Sequence, residues 1–337
     1  MKIKVISSLI NLQNSKEEIV SNIDQSNFYQ SYDFIECLMK IYPKKKFKII
    51  LSTNENKYIF LPLYSFNYYM REFYGFVGSP HFNEENSLCH TYKDQADLVS
   101  DLEYIFSETK LDKLSLYLNN LDHETNSIFK VIKLIEVSCF KTNSINLKND
   151  ILWNSANTKN KVIKNLDFKL RKFFNQKNST QDDIKLDSNN INLDDVKNFI
   201  LKNKNVNLKN KKILNENVKI FFSLYEKITN VEISQLKYKN TLLSIVLGIT
   251  NKNKYYYFMP CFNNLFHKYS FGNNHLIRLI LNKKKLGVGS FVLGAGEEKY
   301  KKNFNVDDEK IYLLTNDKYL KFFFKLKNFL VNDKIHI

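Results

Sequence analysis

Glycine and proline are scarce in this 337-residue chain, 8 and 4 residues respectively, which excludes collagen-like and low-complexity architectures. The four cysteines, Cys37, Cys89, Cys139 and Cys261, stand far apart with no C-x-x-C pair. That spacing predicts neither a zinc site nor a disulfide framework, and no other metal site is expected; a reducing compartment follows. Long hydrophobic runs are missing too. The longest strongly apolar stretch, Leu242–Ile249, is too short to span a bilayer, and the N-terminus MKIKVISSLINLQNSKEE turns polar too soon for a signal peptide. The expected location is the cytoplasm, with peripheral attachment to the inner membrane face compatible with a Lys-rich surface. Arginine is nearly absent: of 51 basic residues only Arg71, Arg171 and Arg278 carry a guanidinium. The net charge of +16 would suit a polyanion, but readers of bases and phosphates favour the bidentate Arg fork, so nucleic acid is not expected as the primary ligand. What is abundant is core material, 27 Phe and 20 Tyr within a 43% hydrophobic composition, enough for one large domain or two mid-sized ones.

Periodicity predicts a helix over Tyr32–Ile41 and then two alternating strands, Phe47–Thr53 and Lys57–Leu63, joined across Asn54–Asn56 as a hairpin. Helical patterns follow at Ala96–Ser107 and Ser127–Ile135, with strands at Leu114–Leu118 and Ser144–Leu147. In the second half Val162, Ile163, Leu166, Leu170, Phe173 and Phe174 share one face of a helix over Thr158–Asn175, with Thr158 as its N-cap. A polar tract, Gln176–Asn192, reads as a surface connection with one edge strand. Helices over Leu193–Leu201 and Glu216–Ile228 then lead to three strand signals, Val231–Lys237, Leu242–Thr250 and Lys254–Phe262, an antiparallel meander. The rest reads as a helix Asn274–Asn282, a strand Ser290–Leu293, a helical piece Glu297–Asn303, a strand Lys310–Leu314 and a helix Lys318–Leu330. The hairpin pattern of KFKIILSTNENKYIFLPL returns in TLLSIVLGITNKNKYYYFMP roughly 190 residues later, which suggests a duplicated unit.

Five of the eight glycines, Gly272, Gly287, Gly289, Gly294 and Gly296, fall within 25 residues, and clustering of this kind implies close backbone approach or unusual φ. Tyr269-Ser270-Phe271-Gly272-Asn273-Asn274 lies between an apolar strand and a helix, where free backbone N–H groups can face a diphosphate. A plain strand-to-helix turn would read the same way. Further on, FVLGAGEEKYKKNF places two carboxylates and a tyrosine at a strand's end. A carboxylate there can take a proton from an amine and the tyrosine can give one to a leaving group, although a glycine-rich loop with a solvated Glu pair has the same letters.

The segment FHKYSFGNNHLIRLILNKKKLGVGSFVLGAGEEKYKKNF resembles the C-terminal signature of the GNAT acyltransferase superfamily, in its tandem-domain, cellulose-biosynthesis-type branch, related to Fem-type peptidyl transferases. The matching positions are Tyr269, Ser270, Gly272, Gly287, Phe291, Gly294, Gly296, Glu298, Tyr300 and Lys301, with Glu297 in place of an Asp; Phe271 replaces the usual Pro and Val292 the usual strand Asp. The resemblance implies an α/β chain of two tandem GNAT-like domains, mixed and mostly antiparallel sheets flanked by helices. Their expected extents are 1–150, without cofactor and shaping the acceptor cleft, and 151–337, with cofactor and catalytic site. It implies an acyl-CoA donor and an amine acceptor on an amino sugar or a cell-envelope or polysaccharide precursor. The alternatives are a Fem-type transferase using charged tRNA and a non-catalytic scaffold, the latter prompted by Val292.

On this reading Glu298, with Glu297, is the base or amine-positioner and Tyr300 the acid. Backbone N–H groups near Met259–Phe262, including Met259 and Cys261, form the oxyanion and cofactor edge. Ser270, Gly272, Asn273, Asn274 and Arg278 hold the diphosphate. His267 and His275 flank the cofactor turn as alternative bases, since imidazole titrates near neutrality. Trp153, Arg171 and Lys301 are assigned to the acceptor, Trp153 with a core role as the alternative and Arg171 with a solvated helix face.

Overall fold

The structure is a computed structural model and describes residues 1–23, 28–68, 70–78, 86–149, 151–177, 180, 184–188, 191–204, 208–251, 253–296 and 298–324. In chain order the first elements are β1 (Lys2–Ile6), α1 (Leu9–Gln13), α2 (Lys16–Asn22), α3 (Tyr32–Ile41), β2 (Phe47–Asn54), β3 (Lys57–Tyr68), β4 (Arg71–Phe76), β5 (Cys89–His90), α4 (Gln95–Glu108), β6 (Tyr117–Leu121), α5 (His123–Val131) and β7 (Ile135–Asn146). They are followed by α6 (Ala156–Lys177), β8 (Ile184–Asp187), α7 (Leu193–Asn203), α8 (Leu208–Tyr225), β9 (Val231–Tyr238), β10 (Thr241–Asn251), β11 (Lys254–Phe262), α9 (Phe271–Lys285), β12 (Ser290–Ala295) and β13 (Asp307–Thr315). Residues 318–324 are helical, and the rest of the helix expected up to Leu330 lies outside the described residues.

The chain divides into two compact units, Met1–Phe140 with Lys310–Ile337, and Lys141–Glu309. The boundary falls at 140/141 where 150/151 was expected, and the segment from Lys310 joins the first unit. The reason is packing: Tyr312 and Leu314 belong to the core that contains Ile50, Leu61, Phe76 and Phe129, and their strand pairs with β6 (Leu314↔Leu118).

In the first unit β1, β2, β3 and β4 are antiparallel neighbours in that order, with β5 also on β3. Helix starts follow local chemistry. Ser31 Oγ accepts from Phe34 N–H ahead of α3, and Asp94 Oδ1 accepts from Ala96 and Asp97 ahead of α4, each satisfying N–H groups that a helix start leaves unpaired. The α6 cap is Ser155, which accepts from the N–H of Thr158; Thr158 itself, expected to be the cap, lies inside the helix.

In the second unit the order is β7, β12, β11, β10, β9, β8. The expected meander is β9–β10–β11, and the expected edge strand in the polar tract is β8, paired to β9 through Leu186↔Leu236. One face is covered by α9, whose Leu276, Leu279 and Ile280 join Val246, Tyr255 and Phe291 in one core. On Phe258 of β11 stacks Phe221 of α8, ring centroids 6.0 Å apart. Near the C-terminal end of α9, Lys283 is buried, ion-paired to Glu232 of β9 and set 4.5 Å over the Tyr255 ring.

Gly248 of β10 sits against that ring, and a Cβ there would lie 1.9 Å from the Tyr255 hydroxyl oxygen. The ring is fully buried and cannot swing aside. Gly248→Ala should therefore destabilise the fold by about 1–3 kcal/mol, measured by urea unfolding, and Tyr255→Phe in the same chain should recover part of the loss by removing the colliding oxygen.

Candidate functional site

The site begins with a fault in the sheet. β11 and β12 run parallel, but only Lys254↔Ser290, Tyr255↔Phe291 and Tyr256↔Val292 are in register. Just beyond, both strands carry an extra residue. On the β10 side the register steps from Ile249↔Tyr256 to Leu247↔Met259, so Tyr257 and Phe258 face the single Gly248. On the β7 side it steps from Val292↔Ser144 to Gly294↔Asn143, leaving Leu293 as the insert, and Gly294 takes φ 76°. Bulges bend and over-twist the strand that contains them. With one on each side of the parallel pair, β11 continues to Phe262 along β10 and β12 continues to Ala295 along β7, and the two part. Among the described residues no strand pairs with this edge of β11 past Tyr256.

Asn263 N–H donates to the Leu243 carbonyl. Alternation along the strand turns the N–H groups of Cys261 and Met259 to β10 as well, and Pro260 has none to give. Of the window expected to form an oxyanion edge, Phe262 carries the N–H not committed to β10, and that group lies against the Cys261 thiol. The side chains of Met259 and Cys261 are buried, and burial pushes the Cys261 thiol up to about 11, against the nearby Lys204 ammonium.

At the end of β11 a short 3-10 segment, Asn264–Tyr269, leads into α9. Ser270, the N-cap, holds the left-handed φ of 59° without a side-chain capping bond, a strained conformation of the kind that clusters at functional sites. Its hydroxyl instead accepts from Lys169 Nζ of α6 at 2.7 Å. Lys169 is delivered there by packing: the neighbouring Leu170 and Phe173 share a core with Tyr269 and Phe271. The N–H groups of Phe271, Gly272 and Asn273 precede the first intrahelical bond, Asn274 N–H to the Ser270 carbonyl, so they and the helix dipole face outward. A cavity of about 160 Å³ adjoins them, lined by His267, Ser270, Gly272, Asn273 and aromatic rings, with no carboxylate. At Gly272 a Cβ would lie 3.2 Å from Phe262 Cδ1, a tight fit against that ring. His267 is exposed and its Nδ1 lies 3.1 Å from the Asn264 carbonyl.

After β12 the expected helical piece Glu297–Asn303 is only a 3-10 turn, Lys301–Asn303. Glu297 lies outside the described residues. Lys301 is withdrawn from any acceptor: its ammonium is buried and donates to the carbonyls of Gly294 (2.9 Å) and Gly296 (3.2 Å), and it pairs with Glu298 at 2.8 Å. The Glu298 carboxylate is 54% exposed. Partial burial works against its ionisation, but the Lys301 bond outweighs that and holds it below the usual carboxylate range. Burial, then the Glu298 charge, pushes Tyr300 up to about 12, so it keeps its proton at neutral pH. Burial first, then Tyr300, raises Tyr257 in the bulge of β11.

The family model described as "Acetyltransferase (GNAT) domain" matches residues 221–302. The second unit contains a GNAT domain. The fold has relatives among solved structures: the crystal structure of FemX, at 10% identity and TM-score 0.59, is covered over 97% of its length by 93% of this chain. A conserved protein of unknown function from Bacteroides thetaiotaomicron, at 10% identity and TM-score 0.55, is covered over 100% of its length by 94% of this chain. The C-terminal domain of a putative lysylphosphatidylglycerol synthetase from Agrobacterium fabrum, at 9% identity and TM-score 0.55, is covered over 94% by 93% of this chain. These likenesses show the mixed α/β, tandem GNAT-like fold. No curated protein matches the chain.

Within the GNAT domain, residues assigned from the sequence fall into two groups at the C-terminal ends of the parallel strands, His267 to Asn273 after β11 and Glu298 with Tyr300 after β12. Lys169 and Tyr257 were missed; one looked like a solvated helix lysine and the other like ordinary strand core. Trp153 takes the core role that was its alternative: one face stacks on Phe304, centroids 5.1 Å apart, and the side chain packs against the core of the second unit. Arg171 is exposed on α6. Arg278 is half-buried, and Asn274 is buried with its Oδ1 unpartnered. His275 is not a base in this domain. Its ring is fully buried, Nε2 lies 2.9 Å from Ser234 Oγ, and burial together with Arg278 lowers its pKa to about 3. Among the described residues no helix is long and apolar enough to cross a membrane, and no cluster of metal-binding side chains occurs.

The neutral His275 generates a pH prediction. Between its ordinary value of 6.5 and about 3 the unfolded chain binds a proton that the native state refuses, so stability should fall with acid over that window by about 1.4 kcal/mol per pH unit from this group. His275→Phe should flatten that slope in a series of urea unfolding curves.

Proposed function

We propose that the GNAT domain transfers an acyl group from a CoA thioester to an amine, on an amino sugar or a related envelope precursor. The observation that carries this reading is the parting of β11 from β12 beyond Tyr256 and Val292, with a helix start that lacks a side-chain cap beyond one strand and a carboxylate–tyrosine pair beyond the other. Ligands of open α/β sheets bind where neighbouring strands separate at their carboxyl ends. A thioester lying in the opening would place its diphosphate against the N–H groups of Phe271, Gly272 and Asn273, with Lys169 adding a cation.

The chemistry runs with the groups in place. A neutral amine attacks the thioester carbonyl, the C–N bond forms, and the new oxyanion accepts from the backbone N–H on the open edge of β11. The nitrogen is then positively charged and strongly acidic, so the weakly basic Glu298 carboxylate suffices to take its proton. The C–S bond breaks, and the departing thiolate takes the proton that Tyr300 retains at neutral pH.

The test is a melting curve of the full chain with CoA, acetyl-CoA and longer acyl-CoAs, with ADP and tRNA as controls. A ligand at 100 times its Kd stabilises by about 2.7 kcal/mol, and the CoA species are expected to raise the transition. A rise with tRNA alone would favour an aminoacyl-tRNA donor, and no rise with any of them would contradict the reading. In an acyl-CoA assay Tyr300→Phe should lower kcat by about 10²- to 10⁴-fold, while Lys169→Met should raise the donor KM and weaken its salt dependence with kcat little changed.

A further inference from the structure

Lysine is the commonest cation of this chain and nearly always a solvated one, but the side chain of Lys301 is only 4% exposed. Its ammonium has three oxygens within 3.2 Å, the carbonyls of Gly294 and Gly296 and the Glu298 carboxylate. Both glycines have positive φ, 76° and 114°, a conformation that L side chains rarely adopt. At Gly296 a Cβ would also collide with Glu298, whose Oε2 would lie 2.8 Å away. The turn after β12 is thus shaped so that its carbonyls converge on one cation, and the carboxylate is the third side of that arrangement.

We propose that Lys301 is the positioning residue of this site, a buried cation that clamps the turn after β12 and fixes the Glu298 carboxylate beside the opening between β11 and β12. The inference rests on the reading of Glu298 as the proton acceptor and deepens it. Lys301 contributes no contact to either substrate; all three donor directions of its ammonium are used within the turn. It keeps Glu298 anionic and stops the half-exposed side chain from sampling other rotamers, so the carboxylate meets the incoming amine already oriented. Among the described residues the titratable groups facing Glu298 are Lys301 and Tyr300, and of the two it is the lysine that sets its charge.

The experiment uses the full chain with 13C-labelled glutamate, the Glu298 carboxyl signal being assigned by its loss in Glu298→Gln. In Lys301→Met the Glu298 titration midpoint should move upward and the melting temperature should fall, because the buried carbonyls lose their donor, while the rise in melting temperature that CoA produces stays near that of the parent. Under turnover Lys301→Met should lose about 10²-fold in kcat at unchanged donor KM, with the acid limb of the pH profile displaced upward, and Lys301→Arg should recover part of the rate. A Glu298 midpoint unmoved in Lys301→Met overturns the proposal. Should Lys301→Met fail to fold, the parent chain decides: a lysine ammonium held by three oxygens gives a slowly exchanging 15N signal, and Glu298→Gln must shift it; an unshifted signal overturns the proposal. Absence of turnover with every acyl-CoA, combined with a midpoint that still follows Lys301, supports the clamp and rejects the acyl-transfer reading.

Discussion

Everything that can act chemically in the second unit depends on two strands failing to stay paired. β11 and β12 share three registered residue pairs, and a bulge in each then sends them to opposite neighbours. A parallel pair in full register would bury its backbone groups in the ladder and leave no room for a ligand. The extra residues at Tyr257–Phe258 and Leu293 convert the middle of a continuous sheet into an edge without exposing it at the rim, where an unpaired strand invites aggregation. Gly248, opposite the first bulge, leaves its Cβ space to the Tyr255 ring. Gly294 makes the second possible by turning left-handed.

Buried or half-buried lysines then hold the pieces around that opening. Lys283 ties α9 to β9 through Glu232 and covers Tyr255, Lys169 ties α6 to the α9 cap at Ser270, and Lys301 gathers the turn after β12. An ammonium taken out of water needs oxygens around it or it destabilises the fold, and each of these finds them on an element distant in sequence or on a turn shaped for the purpose. The geometry of the site and the stability of the second unit are therefore coupled through the same side chains. His275 is the opposite solution, an imidazole buried without charge beside Ser234.

Period and turn chemistry made much of the fold legible. The apolar alternation around Asn54–Asn56 and around Asn251–Asn253 reads directly as two hairpins, and the helix over Tyr32–Ile41 has the bounds its spacing predicts. What escaped were features set by tertiary contact. Whether Ser155 or Thr158 caps α6 turns on which hydroxyl meets the N–H, and both residues suit an N-cap. The bulges left only a glycine each as a trace, Gly248 on β10 opposite the first and Gly294 in β12 within the second. The glycine cluster spoke with one voice in sequence but has several causes in space: Gly287 closes α9 with φ 79°, Gly289 makes room for Asn253, and Gly272 makes room for Phe262. Lys301 was misread because burial of a lysine has no signature in a chain so rich in them.

The central claim is that the donor enters the opening between β11 and β12 with its diphosphate on the first turn of α9. Backbone amide shifts of the full chain, recorded as CoA is added, test it most directly. The account predicts saturable shifts at Phe271, Gly272 and Asn273 and at Phe262, with the amides of Cys261 and Met259, committed to β10, moving least. Saturable binding that leaves the α9 start and Phe262 unmoved would contradict it.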